Sequence, residues 1–322
     1  MPPLSGGRAG RDILTRAKGV AALGERLDTL YRSFDHAESA VDPVHIVRRY
    51  PAAEDREVVG FCAAALAFGR VSSVLHSIES LLAVMGPRPA EFVRGFEPVR
   101  DSARIEPLVH RWIRGRDIVA LLIILRRMLQ NAGSIEAFFA EGDDDPAAPD
   151  LSNALDTFCR RALETDLTEA YGRRRLPKRL GVCYFFPRPS QGSACKRLNL
   201  FLRWMVRRDE IDMGLWTRVS PSRLIVPLDT HVIRLGRCLR LTTYRSPGWK
   251  MAAQITAALR AFDAVDPVRF DFSLCHVGMM GACGYGQQQG DRNCPLRGLC
   301  HPAAPVRAGG VTRRAVKVRT RP

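Results

Sequence analysis

The stretch GSACKRLNLFLRWMVRR, Gly192 to Arg208, decides how this chain is read. Leu198, Phe201, Leu202 and Met205 fall at i, i+3, i+4 and i+7, the spacing that puts four apolar side chains on one face of a helix. The small residues ahead of it, Gly192, Ser193 and Ala194, mark a turn. With Ser193 as the N-cap, Lys196 takes the third helical position. A cation there meets the positive end of the helix dipole, and burial disfavours an ammonium group further. A lysine rendered neutral is the nucleophile that Schiff-base chemistry needs. The same residue also reads as an ordinary surface lysine among basic neighbours.

Downstream, PLDTHVIRLGRCLRL (227–241) repeats the pattern. Val232, Leu235 and Leu239 give a second helix its apolar face, and Asp229 is its natural N-cap. Asp229 therefore has two readings: it caps the helix, or its carboxylate also faces a cleft and stabilises a developing cation or handles a proton. Upstream, EVVGFCAAALAFGRVSSVLHSIESLL, Glu57 to Leu82, describes a helix apolar nearly all round running into an amphipathic one, closed by Pro87 and Pro89. Leu23, Leu27, Leu30 and Tyr31 predict an N-terminal helix. Asp117 and Ser134 are candidate N-caps of two more, and Glu141 to Asp150 reads as an acidic surface loop. No strand alternation exceeds four residues, so the fold class is all-α.

The balance of 49 Lys plus Arg against 33 Asp plus Glu gives a net charge of +16, which favours polyanion partners. Arg173, Arg174, Arg175, Lys178 and Arg179 form one basic run, and residues 306–322 read as a basic disordered arm. No apolar run is long enough to span a bilayer, and no secretory segment opens the chain. Nine cysteines, an odd number, argue against a disulfide framework, so a cytoplasmic setting is expected. The seven histidines show no H-E-x-x-H pattern, which disfavours a zinc hydrolase.

PLDTHV and Gly-x-Ala-x-Lys (192–196) resemble two segments of the helix-hairpin-helix DNA glycosylases, one bearing an essential aspartate, the other the hairpin end and nucleophilic lysine. AALAFGRV (64–71) resembles the helix leading to their DNA-wedging residues. Ala194 stands where the hairpin usually has a second glycine. The interval of 33 residues from Lys196 to Asp229 is similar to that of the archaeal 8-oxoguanine glycosylase branch and about twice that of the endonuclease-III-like proteins. From about Asp42 to Phe272 the chain also resembles an uncharacterised bacterial family marked by SACKRLNLFLRWMVR and PLDTHV.

This resemblance implies a two-subdomain glycosylase fold around a DNA cleft. Residues 40–228 would form a helical barrel with the hairpin and Lys196. Residues 229–305 would form a C-terminal subdomain with Asp229, packed by residues 1–39. It implies base excision with strand cleavage, Lys196 as nucleophile and Asp229 as acid/base or charge stabiliser, on an oxidised purine such as 8-oxoguanine in duplex DNA. Gly192, Ser193, Ala194, Arg70, Arg197, Arg203 and His231 are the expected DNA contacts, and a monomer is expected. Phe68 and Arg70 are candidates to fill the vacated stack, and Trp204, Trp216, Tyr184, Phe185 and Phe186 to stack on an extruded base, although core roles are open to them too. Cys283, Cys294 and Cys300 resemble the end of an iron–sulfur loop; one ligand is missing, since position 291 is Asp, and Cys275, His276 or His301 would have to supply the fourth for a cluster or zinc. A non-catalytic protein for damaged or distorted DNA, a monofunctional glycosylase, and an enzyme on RNA or another glycosidic bond are the alternatives.

Overall fold

A computed structural model describes residues 7–33, 42–172, 180–279 and 294–299, with side chains from residue 19 onward. The architecture is helical. In chain order come α1 (Gly7–Ser33), α2 (Val44–Arg48), α3 (Ala53–Leu66), α4 (Val71–Met85), α5 (Pro89–Arg94) and α6 (Pro98–Ile105). A two-stranded antiparallel hairpin follows, β1 (Val109–His110) and β2 (Ile113–Arg114). Then come α7 (Gly115–Ala132), α8 (Ile135–Ala140), α9 (Ser152–Leu163), α10 (Thr168–Tyr171), α11 (Lys196–Val206), α12 (Thr230–Cys238), α13 (Trp249–Leu259) and α14 (Asp271–Met279).

Two apolar clusters organise these helices. The larger gathers Val44 through Leu224, with Val268 and Phe272 added from the end of the chain. The smaller joins Leu23, Leu27 and Leu30 of α1 to residues from Ile225 onward, Leu296 included. Its seam with the first therefore falls between Leu224 and Ile225, just ahead of Asp229.

α3 and α11 cross at the centre of the larger cluster, and their sequences explain why they can. A Cβ on Gly60 would stand 2.7 Å from Met205 Cε, and Ala63, Ala64 and Ala65 continue the slim run beside it. α11 is buried from Arg197 to Val206, not along one face as its i, i+3, i+4 spacing predicts. Trp204, Trp216, Phe185 and Phe186 belong to this core.

Two caps behave differently from each other. Ser134 accepts the Ala137 amide at 3.0 Å and caps α8 as expected. Asp117 does not cap α7. It sits at the third helical position and reaches back to the Arg114 amide at 2.9 Å, closing a capping box. Gly181 packs against the same carboxylate, leaving no room for a Cβ. In the acidic loop, Asp143 is pinned by both terminal nitrogens of Arg223 at 2.5 and 2.8 Å, so one end of that surface segment is fixed.

Candidate active-site cleft

At the seam lies a cleft of about 440 Å³ whose lining includes Lys196, Asp229, His231, Arg203, Asp271 and Cys275. Two helix starts deliver the first two residues. Cys195, in the left-handed region at φ 49°, precedes α11, so Lys196 is its first residue rather than its third. Ser193 does not cap the helix; its hydroxyl accepts the Cys195 amide at 3.2 Å, one residue too early. Gly192 makes the preceding turn at φ 79°. Its carbonyl accepts the Trp249 amide at 3.2 Å, tying this loop to the start of α13.

Asp229 caps α12 by accepting the Val232 amide on Oδ1 at 2.7 Å. The Cys275 thiol donates to its Oδ2 at 3.1 Å. Among the described residues each oxygen thus has one donor, which orients the carboxyl group. Both readings of Asp229 hold geometrically, since the cap also lines the cleft. His231 lies two residues on, against Gly278 of α14, where a Cβ would come within 2.6 Å of the imidazole-bearing carbon.

Beneath them runs a buried ion network. Arg203 pairs with Asp212 at 3.2 Å and with Asp271 at 2.6 Å. Arg207 pairs with Asp209 at 2.9 Å, with Asp266 at 2.8 Å and also with Asp212. Two guanidinium groups face four carboxylates. Burial, with Asp229 adding to it and Arg203 opposing, pushes the Asp271 carboxyl up to about 7. Burial also raises the Cys275 thiol well above its usual range, with Asp229 as the next cause, so this cysteine stays a protonated donor.

Arg203 is 2% exposed, with Nε and Nη1 held by Asp212 and Asp271, while its Nη2 has no hydrogen-bond partner among the described residues. Arg197, 8% exposed, is buried as well. Its guanidinium donates to the carbonyls of Ala65, at 3.2 Å, and Tyr184, and lies 3.6 Å from the Tyr184 ring centroid. Arg70 is exposed at the start of α4, and Gly192 is exposed, while Ser193 and Ala194 are half-buried. Asp271, Asp42 and Phe272, which the sequence does not single out, also line the cleft, as does Cys275, expected only as a possible metal ligand. The odd cysteine one turn past an aspartate, in DFSLCHVG (271–278), was the available signal.

Of the cysteines expected to hold a metal, Cys283 and Cys300 lie outside the described residues, as do His301 and the basic run 173–179. Cys294 is buried in the smaller cluster. Cys275 is engaged with Asp229, and His276 is buried and stacked on Phe272 at 3.9 Å. Among the described residues there is no group of three or more potential ligands. There is likewise no helix among them long and apolar enough to cross a membrane.

The described residues thus form a mostly helical protein with a lysine–aspartate cleft between two apolar clusters. The chain belongs to the family described as "Protein of unknown function (DUF2400)", whose model matches residues 42–280. No curated protein and no solved structure matches the chain.

Proposed function

We propose that the protein is a base-excision DNA glycosylase of the helix-hairpin-helix type with associated strand cleavage at the abasic site. One observation carries this reading: Lys196 and Asp229, far apart in sequence, line one cleft from the starts of two helices. Its volume lies in the range of small-molecule pockets, and Phe68, Val71 and Phe272 offer apolar walls to a planar base.

In this reading a damaged nucleotide leaves the stack and enters the cleft. The Lys196 amine attacks C1′ as the glycosidic bond breaks and the base departs with its electron pair. Asp229 stabilises the positive charge that grows on the sugar and takes the proton from the attacking nitrogen. Opening of the sugar ring gives a Schiff base, and loss of a C2′ proton expels the 3′ phosphate. Oxidised purines such as 8-oxoguanine in duplex DNA are the leading substrates, the protein acting as a monomer. No step is routed through a metal or cluster.

The test is strand nicking of duplex oligonucleotides carrying an abasic site or 8-oxoguanine. The wild-type chain should nick at least the abasic duplex, and Lys196→Gln should not. Equal nicking by both overturns the assignment of the nucleophile.

A further inference from the structure

Lys196 also lines a second, larger groove of about 1,380 Å³ that runs away from the cleft. Its wall is an aromatic cluster. Trp112, at the tip of the β1–β2 hairpin, lies 4.9 Å from Phe68 and 5.1 Å from Tyr184, ring centroid to ring centroid. Phe68 and Tyr184 close the triangle at 5.0 Å.

This cluster is held stiffly from behind. The Arg197 guanidinium underlies Tyr184 and Phe68, and His110 fixes the Phe68 backbone: its Nε2–H donates to the Phe68 carbonyl at 2.9 Å while Nδ1 accepts from Ser77. Burial lowers the imidazole's pKa, in keeping with a neutral ring in that role. Yet Trp112 is 50% exposed, an unusual place for so large an apolar side chain unless it meets something.

Charge says what. Arg188 and Lys196 line the groove, together with Arg160, which is paired with Glu164 at 2.8 Å. Arg111 places its guanidinium 5.3 Å from the Trp112 ring. A rigid aromatic platform with a basic rim is the combination that holds unpaired nucleotides, bases stacked on the rings and phosphates met by the cations. Double-stranded DNA keeps its base faces covered and has no use for it.

We infer that this groove binds a short run of unpaired DNA beside the nucleotide held in the cleft. The substrate class would then be a target base within or next to single-stranded or locally opened DNA. This inference rests on the glycosylase reading for the target itself, but the groove's binding is separable from it.

The experiment is fluorescence anisotropy with a labelled oligonucleotide as single strand, as full duplex, and as duplex with a short unpaired bubble, at one fixed salt concentration. Wild type, Trp112→Ala and Trp112→Phe would be compared, with borohydride trapping on an abasic duplex run in parallel. The single strand and the bubble should bind more tightly than the duplex. Trp112→Ala should lose about tenfold on both and nothing on the duplex, and Trp112→Phe should restore most of it. Equal affinity for all three forms, or no effect of Trp112→Ala on the single strand, overturns the inference even if trapping succeeds. Loss of trapping with the Trp112 effect intact would instead defeat the glycosylase reading and leave the groove standing. Stronger competition by single-stranded RNA of the same length overturns the assignment to DNA.

Discussion

Asp271 lines the cleft within electrostatic reach of Asp229, and its carboxyl is held near neutrality at about 7 against about 3.9 in an unfolded chain. Between those values the folded protein keeps a proton that the unfolded one has shed. The stability linked to that proton is complete below about pH 3.9 and is lost as pH rises toward 7. Asp271→Asn removes the titration while keeping an acceptor for Arg203. Relative to that variant, the wild type should lose up to about 1.4 kcal/mol of stability per pH unit between about pH 4 and 7. Urea unfolding at several pH values measures this, and a difference that does not vary with pH would contradict it. Asp229 allows a second separation, because asparagine caps a helix about as well as aspartate. Asp229→Asn should leave stability within about 0.5 kcal/mol and lower nicking by about a hundredfold or more. Parallel melting and nicking assays would expose a residue that only caps, since neither would then change.

α11 carries the clearest contrast between what its sequence implies and where its residues lie. The spacing of Leu198, Phe201, Leu202 and Met205 was enough to place a helix there, and PLDTHV was enough to place α12 and its cap. Arg197 and Arg203 are buried against partners remote in sequence. Arg203 meets a carboxylate 68 residues away, and Arg197 meets a carbonyl 132 residues away. Helical periodicity shows which residues share a face, not whether every face is covered, so two basic residues on a covered helix look exposed. The start of α11 was misplaced for a local reason: a left-handed Cys195 is not something its side chain advertises. Arg197→Met should strand the Ala65 and Tyr184 carbonyls and destabilise the protein by about 2–4 kcal/mol, judged by chemical denaturation. It should not alter the slope of log K against log salt for duplex binding. Arg70→Ala, on the exposed start of α4, should reduce that slope by about 0.9. A slope change in Arg197→Met would return that residue to the phosphate-contact set.

At the scale of the whole molecule the two apolar clusters are joined by the Arg203–Arg207 network, which links α11 to the segment from Asp266 to Asp271. Breaking a buried pair from one side leaves uncompensated charge, so Arg203→Met should cost about 3–5 kcal/mol, well above an exposed arginine substitution. The cleft depends on that joint, because Asp271 on α14 reaches Arg203 across it, while Cys275 on the same helix holds Asp229 on the side of the smaller cluster. Helical class and the helices that carry Lys196 and Asp229 were legible because each leaves a local or periodic trace. The network, the Cys275–Asp229 bond and the aromatic groove left none, being made of single residues brought together from distant segments. The net charge of +16 favours polyanionic partners in general but cannot say whether chemistry follows. That question is settled most directly by borohydride reduction of the protein mixed with an abasic duplex, followed by peptide mapping of any covalent adduct. The expected result is a single adduct on the peptide carrying Lys196, absent in Lys196→Gln. No adduct, or one mapped to another lysine, would contradict Lys196 as a Schiff-base nucleophile.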